Sequence, residues 1–453
     1  MMFAKMASPG MAGLHDFGRP QMISDAALAA AIFMYKSNLD IRRGNRMQTP
    51  ETSQSAPAHV PPELVRPDFP LNFGARTKLN PFTDLIDPLH ETAPPIFYAP
   101  HAYPGGAPAW IVRRAETLRT IYFDPERFSS ADFAPFAKLI GEKWSNLPAE
   151  KDPPLHRLYR NFVNPLFTPK AMAALDDKIR LYAREYVDAF RDKGECEFMA
   201  DFAFEFPIKV FMELMGLPLE RTKEFLEWEM GLLHGHDLAG IQAATRKVVD
   251  YLDGEIEARR ATPTDDLISY GVHSEFDGRK LDRDELIGFT FNLFIGGLDT
   301  VSTNMGLQFW HLATHQEDQA RLRAEPALIG DAISELMRAY PAVTTFRTCV
   351  QETEIEGVTI MPGDRVAMST SLAGRDPDEY ETPQIVDLDR KPRQLSFGFG
   401  PHVCVGMHLA RRELRIAMEE MLATLPAFRL KEGTQMTFRL GGMIQPEAVP
   451  LAW

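Results

Sequence analysis

Cysteine is scarce in this chain: Cys196, Cys349 and Cys404 are the only three in 453 residues. None belongs to a Cys-x-x-Cys pair, so a disulfide framework is not expected and a reducing compartment, the cytoplasm, fits. Positive charge is in deficit. Lys and Arg number 49 against 63 Asp and Glu, for a formal net charge of −14. With no basic run and no aromatic–basic stripe, this argues against a nucleic-acid partner. Long apolar runs are missing from the N-terminal region. Ala26 to Tyr35 is the longest there, closed by Asp25 and Lys36, and is too short to cross a bilayer. Asp25 stands where a secretory leader would carry basic residues. No membrane association is expected. There is no internal repeat and no glycine-rich flavin or nicotinamide fingerprint.

What is present divides unevenly. Residues 1–58 are rich in Met, Ala, Ser and Gln and show little sustained periodicity. Such a segment buries too little apolar surface to offset its ordering entropy, and is read as a disordered extension. Met47, followed by a polar, Pro-containing stretch, makes a plausible start of translation. Residues 59–453 are expected to form the folded domain. Helical periodicity covers about 154–165, 170–192, 199–215, 219–233, 238–260, 282–315 and 405–425, and Pro326 to Tyr340. Ala109 to Arg113 reads as a strand before a helix ending near Tyr122. Short alternating runs at Phe346–Val350, Glu354–Ile360 and Arg365–Ser369 predict a small sheet, with turns at Gly357 and Pro362-Gly363. Arg375 to Arg393 has little pattern, and 427–453 reads as strands. The expected class is mainly α with a small β region.

Cys404 carries the most chemistry. The stretch Phe397-Gly398-Phe399-Gly400-Pro401-His402-Val403-Cys404-Val405-Gly406 runs directly into a helical pattern. Free N–H groups at a helix start stabilise a thiolate, and glycines let backbone approach a large flat group. A thiolate there, with no second cysteine nearby, suits one axial bond to a haem iron. The plainer alternative is an inert buried cysteine. In the 282–315 helix, Ile295-Gly296-Gly297-Leu298-Asp299-Thr300 places two destabilising glycines inside a long apolar pattern. Thr300 lies where its hydroxyl can bond into a break at Gly296. A close helix crossing is the alternative. Glu335 and Arg338 share one helix face, as an exposed pair or a buried one. His234 and His236 resemble metal ligands, but no third ligand has suitable spacing, and they are read as loop residues.

Taken together, these segments resemble the cytochrome P450 family over about residues 60–453, with its motifs in order. The similarity is greatest to the soluble bacterial camphor-hydroxylase type, in Gly-Gly-Leu-Asp-Thr-Val at 296–301, Asp-Pro-Pro at 152–154 and His-Leu-Ala-Arg-Arg-Glu at 408–413. The resemblance implies the cytochrome P450 fold and haem b, iron protoporphyrin IX, held by Cys404 within Phe397, Gly398, His402 and Gly406. It implies propionate contacts from His156, Arg160, Arg347 and His402, and a structural Glu335–Arg338 pair locked to Arg390. Asp299 and Thr300 would guide protons. Trp144, Ile295, Val343 and Met443 would face substrate, with Trp144 replacing the tyrosine donor of the camphor type, so camphor itself is not expected. The implied activity is hydroxylation of a small apolar, terpenoid-like molecule with O2 and electrons from an acidic ferredoxin and its reductase. That ferredoxin would dock near Arg157, Arg160, Arg411 and Arg412. A peroxide-driven enzyme on this fold, or a non-enzymatic haem sensor, is the alternative. The Asp299–Thr300 pair argues against the first, and the lack of an output domain against the second.

Overall fold

The fold is built on the expected amphipathic helices, seen in a computed structural model that describes residues 56–453 except His236. The extension expected over 1–58 therefore lies almost wholly outside the described residues. Seven helices matter for the site: α1 (Leu155–Val163), α2 (Thr222–Leu233), α3 (Leu238–Ala261), α4 (Arg283–Gly297), α5 (Asp299–Thr314), α6 (Ile329–Ala339) and α7 (Met407–Thr424). A capping box starts α4: the Asp282 carboxylate accepts from Glu285 N at 2.9 Å, and Glu285 accepts from Asp282 N at 2.8 Å. The predicted single helix over 282–315 is two helices, broken at Leu298 (φ −98°, ψ −68°) directly after Gly296-Gly297. From Val301 to Ala313 every residue of α5 is buried, on all faces. An all-round buried helix belongs in the middle of a core. Together α4 and α5 are long and apolar enough to cross a membrane, but 67% of the most apolar window is buried inside the fold. Phe309 on α5 stacks on Phe198 at 4.2 Å and on Phe428 at 5.9 Å between ring centroids.

Two other predicted helices are also divided. The 170–192 pattern gives Pro169–Ala173 and Asp176–Asp188. Asp176 and Asp177 suit the positive start of a new helix. The 199–215 pattern gives a π-turn at Met199–Ala203, then Glu205–Met215 with Pro207 in its first turn, where a missing N–H costs little.

The main sheet contains β1 (Ile96–Tyr103), β2 (Ala107–Val112), β3 (Phe128–Ser129), β4 (Thr344–Cys349) and β5 (Arg365–Ser369) in the order β1-β2-β5-β4-β3. β2 and β5 run parallel, and the other neighbours antiparallel. Arg347 on β4 pairs in register with Val366 on β5. The run expected at Glu354–Ile360 is a hairpin, Thr353–Ile355 against Val358–Ile360, turned at Glu356 and Gly357 with φ of 52° and 74°. β1 was not foreseen. Its first four residues are all buried, so period-2 alternation fails, and Pro100 breaks the pattern.

The loop 375–393 has no helix or strand and is tied down by side chains. Glu335 and Arg338 on α6 are both 0% exposed and meet through two bonds, at 2.5 and 3.1 Å. Glu335 also accepts from Asp387 N at 3.0 Å, and Arg390 Nη1 lies 3.4 Å from its carboxylate. Arg338 donates to the carbonyls of Gly374, Pro383 and Ile385. Of the two sequence readings, the buried pair is the one observed. Glu335→Gln leaves the Arg338 charge buried and uncompensated, and is expected to cost roughly 3–5 kcal/mol. Urea unfolding followed by circular dichroism measures this; a stability equal to wild type would contradict the account.

Candidate active site around Cys404

Cys404 lies between a short 3-10 turn, Gly400–His402, and the start of α7, which is capped by Gly406. Its N–H donates to Phe397 O at 2.8 Å, closing the loop. Gly398 and Gly400 adopt φ of +70° and +67°, and a Cβ at Gly400 would come within 2.9 Å of the Tyr122 carbonyl oxygen. Only glycine fits that approach. Cys404 is exposed, whereas Cys196 and Cys349 are buried. Surrounding protein raises the Cys404 pKa, opposed by a hydrogen bond from Gly406 N–H and by the charge of Arg160.

Basic groups converge on this loop from three directions. His156 and Arg160 come from α1, Arg347 from β4 and His402 from the loop itself. The His156 and His402 rings lie 4.0 Å apart. Arg160 Nη1 donates to Val403 O at 2.7 Å, and Ser130 Oγ lies 3.2 Å from His402 Nε2. His156 is pushed down to about 4, chiefly by burial and then by Arg160 and Arg347. His402 is pushed down to about 2 by burial, then by Arg347, His156 and Arg160. Burial also lowers Arg160 and Arg347. Among the described residues, only Asp152, acting on Arg347, opposes this repulsion with a carboxylate. His156 Nε2 is buried without a hydrogen-bond partner. Arg160 therefore points inward, which corrects its placement on a docking surface. Arg412 is likewise engaged, 2.7 Å from Asp176.

At the α4–α5 break, Thr300 Oγ1 donates to Gly296 O at 3.1 Å. Asp299 is 1% exposed. Its Oδ1 accepts from Gln445 Nε2 at 2.5 Å, and its Oδ2 lies 3.0 Å from His234 Nε2. Gln445 also donates to Thr303 Oγ1 at 2.8 Å. Neither Gln445 nor His234 carries a local sequence signal for this role, because both partners are distant in the chain.

The expected substrate residues fare differently. Val343 and Met443 are brought together as bridge partners, and Ile295 is half-buried one residue before the Gly296-Gly297 pair. Trp144 is 5% exposed and packs 4.7 Å from the Phe291 ring, and its Nε1 donates to Glu142 at 2.9 Å. Its loop crosses α4 so closely that a Cβ at Gly288 would lie 2.1 Å from Ser145 O. The expected free donor at Trp144 is thus already spent on Glu142.

Comparison with known proteins agrees with this geometry. The family model for cytochrome P450 matches residues 218–447. Probable cytochrome P450 127A1 of Sinorhizobium fredii is 38% identical, over 91% of this chain and 99% of its own length. The chain belongs to the cytochrome P450 family. Pentalenic acid synthase of Streptomyces avermitilis is 30% identical over 90% of this chain and 100% of its own. The crystal structure of CYP101J2 superposes with a TM-score of 0.79 at 30% identity, covering 88% of this chain and 99% of that one. The fold is that of a cytochrome P450, the enzyme class is monooxygenase, and haem is the family's cofactor. The residues here fit such a group: an accessible thiol at a helix start, and beside it four basic side chains short of anionic partners. Trp144→Ala is expected to cost roughly 3–5 kcal/mol by loss of packing, with no change in which ligands shift the haem spectrum. Altered ligand selectivity at unchanged stability would return Trp144 to the pocket.

Proposed function

We propose that this cytochrome P450 hydroxylates a compact apolar molecule using O2 and electrons from an acidic ferredoxin, in the cytoplasm. The observation that carries the reading is the accessible Cys404 thiol set among four under-compensated basic groups. Cys404 would hold the iron of haem b. His156, Arg160, Arg347 and His402 would meet its two carboxylates with charge-assisted bonds. Phe397, Gly398 and Gly406 shape the loop against the ring. Bound haem supplies the activation of dioxygen, and the chain supplies orientation and protons. Asp299, at the helix break, is the acid, and Thr300 passes its proton toward the cleft. Gln445 orients the Asp299 carboxylate.

The substrate side is apolar. Ile295, Val343 and Met443 offer no donor, and a flexible methionine adapts to several shapes. One relative is named a steroid C26-monooxygenase and another cytochrome P450-terp, in keeping with an apolar, terpenoid-like substrate. Electrons must come from outside, since the sequence has no flavin or nicotinamide motif. A groove of ≈ 520 Å³ between α6 and α7 is lined by His408, Arg411, Arg412 and Arg415 with one acid, Asp331. Arg412 and Arg415 share Asp176, which leaves exposed Arg411, with Arg157, to attract an acidic partner.

The test is product formed per nicotinamide consumed, with an acidic ferredoxin and its reductase supplying electrons. In Thr300→Ala, product is expected to fall by roughly 10²-fold while nicotinamide consumption continues as hydrogen peroxide release. Full coupling in the variant would remove Thr300 from proton delivery. Wild-type turnover driven only by added peroxide would overturn the ferredoxin reading.

A further inference from the structure

At the helix break Asp299 also belongs to a second cluster, whose other two members, Glu229 and His234, dioxygen chemistry does not use. Glu229 comes from the last turns of α2, His234 from the residue that ends α2, and Asp299 from the first position of α5. One donor atom from each lies within 4.8 Å of the other two. Glu229 is 2% exposed, Asp299 1%, and the His234 side chain 9%. Glu229 Oε2, His234 Nε2 and Asp299 Oδ2 are each buried without a hydrogen-bond partner. His234 Nε2 and Asp299 Oδ2 are 3.0 Å apart, but not aligned for a hydrogen bond. Three residues that each keep an unsatisfied buried atom therefore bring donor atoms to one cluster.

We propose that Glu229, His234 and Asp299 form a binding site for a borderline divalent cation, zinc first among them, and that filling it withdraws Asp299 from proton delivery. Charge favours a cation. Two buried carboxylates face one imidazole, and Arg439, the other cation acting on Glu229, is itself 3.1 Å from Glu447. A divalent ion offsets what the protein leaves uncompensated. Ligand chemistry narrows the choice. One imidazole nitrogen and two carboxylate oxygens suit zinc, with a position left for water. Calcium and magnesium prefer oxygen-only shells, and no thiolate is present to select copper(I). The bond from Gln445 to the other Asp299 oxygen fixes the carboxylate's orientation, as outer-shell partners do at metal sites. The sequence hides this site, because Asp299, which completes it, lies 65 residues beyond His234 on another helix.

The regulatory half of the proposal rests on the assignment of Asp299 to proton delivery; the binding half does not. The test begins with the haem-loaded protein, freed of metal by a chelator and titrated calorimetrically with zinc chloride. One zinc per chain is expected. His234→Ala and Glu229→Gln should each weaken binding by more than the roughly 10–100-fold typical of an outer-shell loss, with haem content retained. His101→Ala, at an exposed histidine, should bind as wild type does. No binding at millimolar zinc, or binding that persists in both ligand variants, overturns the site. Zinc should also raise peroxide release at the expense of product. One bound zinc that leaves coupling unchanged sustains the site and overturns the role of Asp299, so the two failures are distinguishable.

Discussion

Burial of the Arg160 and Arg347 charges beside two histidines that cannot hold a proton there is the constraint on which the site depends. Like charges gathered in a protein interior lose hydration and gain nothing from one another. Here burial and mutual repulsion hold both histidines far below their ordinary range. The arrangement makes physical sense once an anionic group completes it, and two haem carboxylates are such a group. The four residues come from α1, β4 and the loop before α7, so the packing that joins those elements is what builds the site. The Glu335–Arg338 pair belongs to the same design. It holds an irregular loop rigid, with its carboxylate bonded to Asp387 N, so the chain enters the Cys404 turn at a fixed place.

The break between α4 and α5 is the second organising feature. Each glycine costs about 1 kcal/mol relative to alanine in a helix interior. The surrounding core carries that cost, because α5 is buried on every face from Val301 to Ala313. The break frees the Gly296 carbonyl for Thr300 and turns Asp299 toward Gln445, His234 and Glu229. One local weakness in a helix thus places an acid and a hydroxyl side by side in sequence at the same turn. Proton supply and cation binding would then compete for one carboxylate.

Much of this was legible in the sequence where the signal is local. The Cys404 loop, the start of α7, the Gly296-Gly297 weakness and the alternation of β4 and β5 all follow from neighbouring residues. The convergence of His156, Arg160, Arg347 and His402 was suggested only by family resemblance, since a lone His156 or Arg347 has the look of any surface charge. β1 was missed because a strand buried on both faces loses its alternation. Trp144 was assigned a donor role that Glu142 already occupies, a pairing two residues away that type and spacing do not reveal. Arg160 was read both as a propionate contact and as part of the docking face; it turns inward to Val403, which removes it from the second. His234 was set aside for want of a third ligand at short spacing; Glu229 stands five residues before it on the same helix, and only Asp299 reaches it through tertiary packing.

The central claim is that Cys404 holds a haem iron as a thiolate. The most direct measurement is the reduced carbon-monoxide difference spectrum of the wild type beside Cys404→His. The account predicts the band of thiolate-ligated haem in the wild type, displaced in the variant to the position of imidazole-ligated haem. An imidazole-type band in the wild type, or a spectrum unchanged by the substitution, would contradict it.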